Sequence, residues 1–167
     1  GEPASREEIL EYQQRLTGLD SVNAADISLG PVAEDGNRPV GITLTEAPRH
    51  SIETGLSYST SDGGGGNVRW IRRNLFGSDE TLTLSANAAT LNQSLLAELS
   101  RPHWRRFNQT LTLHAGLTSE DTDAYQQEEA EIGAEITRRD GRRTYALGPR
   151  LDWSRVTDSV GERDVVT

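Results

Sequence analysis

Thr110-Leu111-Thr112-Leu113-His114-Ala115-Gly116-Leu117 puts a leucine or alanine at every second position, with polar residues or glycine between them. Successive side chains of an extended chain point to opposite faces, so this spelling gives a strand with one apolar and one polar side. It recurs on both flanks. Upstream, Leu82, Leu84, Ala86 and Ala88 alternate with Thr81, Thr83, Ser85 and Asn87, and Ile52, Thr54, Leu56 and Tyr58 alternate with Ser51, Glu53, Gly55 and Ser57. Downstream, Ala130, Ile132, Ala134 and Ile136 alternate with Glu129, Glu131, Gly133 and Glu135; Tyr145, Leu147, Leu151 and Trp153 alternate with Thr144, Ala146, Arg150 and Asp152. One stretch competes, because Leu84, Ala88, Leu91, Leu95 and Leu99 also fall at helical spacing. The threonines at 81 and 83 and the alternation in every neighbouring segment favour two strands with a turn at Leu91-Asn92-Gln93. The expected class is mainly β, an antiparallel sheet from residue 49 onward.

Composition narrows the function. The chain has 167 residues, 17 basic and 26 acidic, for a net charge of -9, and every fixed positive charge is arginine. That balance argues against nucleic acid, whose affinity rests on phosphate neutralisation by a basic surface. With no cysteine there are no disulfides, thiol chemistry or cysteine-ligated metals. No apolar run approaches the roughly 18 residues of a membrane helix. That test leaves barrels untouched, because a barrel strand shows lipid only every second residue. Methionine is absent and the chain opens on Gly1-Glu2-Pro3, which reads as an internal fragment.

Site chemistry points to neither enzyme, cofactor nor metal. His50, His103 and His114 lack metal-ligand spacing, and Asp121 and Asp123 lack the glycine and terminal glutamate of a calcium loop. Gly63 to Gly66 leads into Asn67-Val68, without the lysine and hydroxyl of a phosphate cradle. Glu129 and Glu131, on alternating positions, read as solvated polarity in preference to an acid-base pair.

Residues before 49 spell something else. Ser5 and Glu8 form a capping box, Ile9, Tyr12, Leu16 and Leu19 share a helical face, and Gly18 marks the stop. Two short strands, Asp26–Leu29 and Val40–Thr45, follow around the turn-rich stretch from Gly30 to Pro39, and Glu46-Ala47-Pro48 marks a boundary. One helix and two strands bury too little to stand alone.

The sheet is polarised along its strands. Nine arginines cluster as 72–73, 101–105–106 and 138–139–142–143, separated by the length of two strands and their connections, which puts them at one end. The opposite end receives Ser61-Asp62 with the following glycines, Leu91 to Gln93, and the acidic stretch Glu120 to Glu131, expected as an outward loop. Tyr58, Trp70, Phe76, Trp104, Phe107, Tyr145 and Trp153 gather near strand ends, as at a membrane interface. The polar face carries charge in its middle at Glu98, Glu135, Arg150 and Asp152, as a wet lumen allows. Segments of about 9 to 11 residues suit a tilted crossing. A soluble β-sandwich adhesion or binding module shows the same period, so alternation alone leaves both readings open. Pro149 predicts a bulge or interrupted pairing in the last complete strand.

Arg49-His50-Ser51-Ile52-Glu53-Thr54-Gly55-Leu56-Ser57-Tyr58-Ser59-Thr60, the glycine loop, and Trp70-Ile71-Arg72-Arg73-Asn74-Leu75-Phe76-Gly77 resemble the start of the barrel in the TamA and BamA family of outer-membrane assembly proteins, nearest to its TamA members. The stretch before it resembles the C-terminal part of a POTRA domain. The resemblance implies residues 1–48 as a partial α+β POTRA module in the periplasm and 49–167 as the first seven to eight strands, the N-terminal half, of an antiparallel transmembrane β-barrel. It implies insertion of unfolded β-barrel or autotransporter clients into the bacterial outer membrane, and a periplasmic or inner-membrane partner held through POTRA. Client strands would pair with the first strand, Ser51 through Thr60, while Asn74 to Gly77 is the family turn. Leu82, Leu84, Leu111, Leu113, Ile132, Ile136, Leu147 and Leu151 would face outer-membrane lipid. A two-partner secretion pore of the same superfamily is the alternative within this reading.

Overall fold

The computed structural model describes residues 6–32, 38–60, 63–158 and 161–167; the expected cap at Ser5 and the tip residues Ser61 and Asp62 lie outside them. The chain divides into two compact units, Gly1–Arg49 and His50–Thr167.

In the first unit α1 (Arg6–Thr17) precedes an antiparallel pair, β1 (Val22–Leu29) and β2 (Val40–Glu46). Gly18 N–H donates to Gln14 O and Leu19 N–H to Leu16 O, closing the helix where glycine was expected to end it. Gln13 Nε2 donates to Ala25 O at 2.8 Å, tying α1 to β1 over the buried Ala25. β1 begins four residues before the Asp26 read from the sequence, because main-chain pairing of Ala24 and Ala25 with Thr45 and Leu44 needs no side-chain alternation.

The second unit is one antiparallel sheet: β3 (His50–Ser59), β4 (Gly63–Arg73), β5 (Thr81–Ala89), β6 (Asn92–Arg101), β7 (Gln109–Asp121), β8 (Tyr125–Asp140), β9 (Arg143–Leu147), β10 (Arg150–Asp158) and β11 (Gly161–Val166). From β3 to β8 consecutive strands pair in an up-and-down order, β9 and β10 both pair with β8, and β10 pairs with β11; β3 and β11 end the order, and β9 has β8 as its one described partner. The ambiguous 82–99 stretch is strand on both sides of a turn at Thr90-Leu91, one residue before the expected place. Its leucines pair across the sheet, Leu82 with Leu99 and Ala86 with Leu95.

β9 and β10 are one strand with a break. Ile136 pairs with Leu147 and Gly133 with Arg150, which is a single register on both sides of Gly148-Pro149. Ala134 N–H donates to Pro149 O at 3.0 Å, and proline has no N–H to return the bond. Gly148 is required beside it, since a Cβ there would lie 1.8 Å from Ala134 O. Pairing is interrupted at Pro149 without a bulge.

The acidic stretch Glu120 to Glu131 is mostly strand, contrary to the loop expected from its composition. β7 runs to Asp121 and β8 starts at Tyr125, which leaves Thr122, Asp123 and Ala124 as the connection. Main-chain ladders extend regardless of side-chain charge, and so β7 and β8 reach 13 and 16 residues, longer than the lengths expected.

Candidate membrane face and pairing edge

Directly paired residues of antiparallel strands share a face, so the register assigns sides. Ile52, Trp70, Leu84, Ala97, Ala115, Ile132 and Leu151 form one continuous row. Leu82, Leu99, Leu113 and Ala134 form the next, and Leu111, Ile136 and Leu147 the one after. All eight aliphatic residues singled out in the sequence therefore stand on the same face. Glu98, His114, Gly133 and Arg150 run along the other.

Burial is inverted relative to a soluble sheet. On the polar side Thr83 is 9% exposed, whereas Leu56 is 95%, Leu147 83% and Ile132 60% exposed on the apolar side. Among the described residues the buried apolar side chains are Ala25 and Ile71, and Ile71 points to the polar side. A sandwich would seal these leucines between two layers; here they form a broad uncovered patch of the kind that marks a partner surface or a membrane.

The apolar band runs obliquely across the ladder. On β3 and β4 its lower border is the Ile52–Trp70 pair; on β5 and β6 it is Leu82–Leu99, on β7 and β8 Leu111–Ile136, and on β9 Tyr145. The border thus descends by roughly one residue per strand, which for a rise of about 3.3 Å and a strand spacing of about 4.8 Å is an inclination of about 35°. Transmembrane barrel strands tilt by the same amount. Above the band, Gln93, Ser119, Glu128 and Arg155 replace aliphatic residues on this face. Trp70 and Tyr145 stand near the arginine-bearing end and Phe76, Trp104 and Phe107 in its turns, as expected. Trp153 does not follow: paired with Ala130 and Val166, it sits in the upper band of the face, well inside the joined β9–β10 strand.

On the polar side Arg150 pairs with Glu131 and with Asp152, each at 2.7 Å. Carboxylate oxygens of Glu129, Glu131 and Asp152 approach within 4.8 Å of one another. Sequence reading took Glu129 and Glu131 as polarity and had no means of adding Asp152, which arrives from β10 through the register. The Arg150 guanidinium offsets part of this cluster's negative charge.

The edge strand is thinly held. Leu56, Ser57, Tyr58 and Ser59 lie opposite Gly66, Gly65, Gly64 and Gly63, so this half of β3 has main-chain bonds but no side chains across from it. Cross-strand side-chain pairs supply much of a sheet's stability and register, and both are weak here. Thr60 lies in the turn outside β3, while His50, stacked on Trp70 at 5.8 Å, joins it.

The Asn74–Gly77 segment is an ordered turn between β4 and β5. Asn74 and Asp79 adopt φ of 53° and 62°, and Asn74 Oδ1 accepts from Asp79 N–H at 3.2 Å. Its organiser is Glu80, which the motif did not include. The carboxylate accepts from Ser78 N–H at 3.0 Å and Phe76 N–H at 3.3 Å, faces Arg101 Nε at 3.5 Å, and is 3% exposed. Burial pushes its pKa up, but the backbone N–H donors of Ser78, Glu80 and Phe76 and the Arg101 charge together hold it below the usual glutamate value. The acidic residue just past a Gly-Ser turn was the available sequence signal.

No protein-family model matches the chain, and no curated protein does. Among solved structures it is similar to BamA from Haemophilus ducreyi lacking POTRA domains 1-3, with a TM-score of 0.70 at 16% identity, over 91% of this chain and 30% of that one. The chain thus spans about a third of that structure's length. At such identity the likeness is one of fold, and the open sheet has the fold of a BamA-like barrel wall.

Proposed function

We propose that the chain is part of an outer-membrane assembly factor of the TamA type, with the apolar face of residues 50–167 against lipid and the polar face lining a water-filled lumen. The observation that carries this reading is the exposed apolar band, inclined to the strands as a membrane requires. Water is a poor solvent for such a face, and hydrocarbon a good one. The arginine-bearing turns then lie on the periplasmic side, and residues 1–48 are the C-terminal part of a POTRA module that engages a periplasmic or inner-membrane partner. The role is non-enzymatic. Unfolded β-barrel or autotransporter strands add to β3 by main-chain pairing, and the glycine-backed half of β3 supports this because it has no side chains opposite it on β4.

A photo-crosslinking amino acid placed in the full-length protein tests it. Adducts with an inserting barrel client are expected at Leu56 and Ser57, and not at Ile132 inside the sheet. Client adducts confined to polar-face positions such as Glu98 would instead identify a secretion pore, and equal labelling of β3 and β8 would remove the edge from the mechanism.

A further inference from the structure

Three arginines of the apolar face lie along the lower border of its aliphatic band. Arg72 pairs with His50 and Leu82; Arg101 pairs with Leu111, one row lower; Arg138 pairs with Gln109 and Tyr145, one row lower again. They fall on alternate strands, β4, β6 and β8, and descend with the same slope as the aliphatic band above them. In the orientation argued above, they share one depth in the membrane. Arg138 Nε is buried and has no hydrogen-bond partner among the described residues. Arg101, half exposed, faces Glu80 through Nε at 3.5 Å. Above Arg101 and Leu111, past the Leu99–Leu113 pair, the face is hollowed. Small side chains at Ala97, Ala115 and Ala134, with Pro149 at the ladder break, form the floor of an open groove of about 720 Å³ rimmed by Leu99 and Leu113.

We propose that this groove and the arginine line bind one anionic phospholipid of the leaflet at that end, acyl chains along the alanines and phosphate on Arg101 and Arg138. The inference rests on the apolar face touching lipid. A guanidinium presents a planar fork that matches phosphate oxygens in pairs. Its stem covers apolar surface while its head reaches the interface. Arg138 Nε lacks an acceptor, and the groove two rows above offers apolar surface that acyl chains would cover and a free inorganic anion would not need.

The test inserts the full-length protein into phosphatidylcholine vesicles containing a minor share of phosphatidylglycerol. After mild detergent extraction, retained lipids are counted by native mass spectrometry. Phosphatidylglycerol should be retained several-fold above its share. Arg101→Gln combined with Arg138→Gln should abolish the enrichment, the paired lysine substitutions should keep part of it, and Ala115→Phe, at an exposed position, should lower retention by filling the groove. Unchanged enrichment in the double glutamine variant overturns the proposal. So does displacement by excess inorganic phosphate with no effect of Ala115→Phe, which would mean a simple anion site. Failure to insert at all would overturn the barrel reading; insertion without enrichment removes the lipid site alone.

Discussion

Arginine at Leu113 is expected to destabilise the full-length protein in lipid vesicles by about 2 to 4 kcal/mol, while arginine at the adjacent Thr112 changes stability little. Leu113 stands inside the apolar band, paired with Leu99 and Ala134; Thr112 stands on the other face, paired with Ser100 and Glu135. The same contrast applies to Leu84 and Ser85. The cost comes from desolvating a guanidinium in hydrocarbon, which a water-filled lumen does not demand. Urea unfolding in vesicles measures it. Equal penalties on both faces would mean that the polar side is dry, and equally mild effects would mean that the leucines face water.

The second large effect is expected at Glu80. Glu80→Gln keeps the size of the side chain but removes the charge that receives Ser78 N–H and Phe76 N–H and faces Arg101. Hydrogen bonds to a charged group contribute about 1.5 to 3 kcal/mol each in net stability. With two of them weakened and not lost, a cost of about 2 kcal/mol is expected. The sign of the pH dependence follows from a folded pKa held below the unfolded one. Stability from this carboxylate is fully present above the unfolded value, about 4.3, and disappears as pH falls through the lower, folded value. Stability curves of the parent and Glu80→Gln should therefore converge in acid and separate above that window. Parallel curves down to pH 3 or so would show that the charge does not hold the turn.

Legibility differed by scale. Strands were readable because alternation is local: each of the segments around Leu56, Leu84, Leu113, Ile132 and Leu151 carries its own two faces, and the structure puts every one of those aliphatics on a common side. Even the helix-like 82–99 stretch resolved once its neighbours were counted. The acidic stretch misled because charge is a property of side chains, whereas the β7–β8 ladder that absorbed it is made of main chain. Thr60 and Trp153 were misplaced by a few residues along a strand, an error that sequence periodicity has no power to correct. Glu80 was missed because the motif reading stopped at Gly77 and its partner Arg101 comes from β6, far along the chain.

What the sequence determined alone is the two-faced strand, its turns and the arginine-marked end, since these depend on residues a few positions apart. The tertiary structure alone decided which face stays open, the slope of the apolar band, the line of Arg72, Arg101 and Arg138, and the meeting of Asp152 with Glu129 and Glu131. All of these depend on register, which the apolar patterns and turns of several strands set together and which no single strand's spelling specifies.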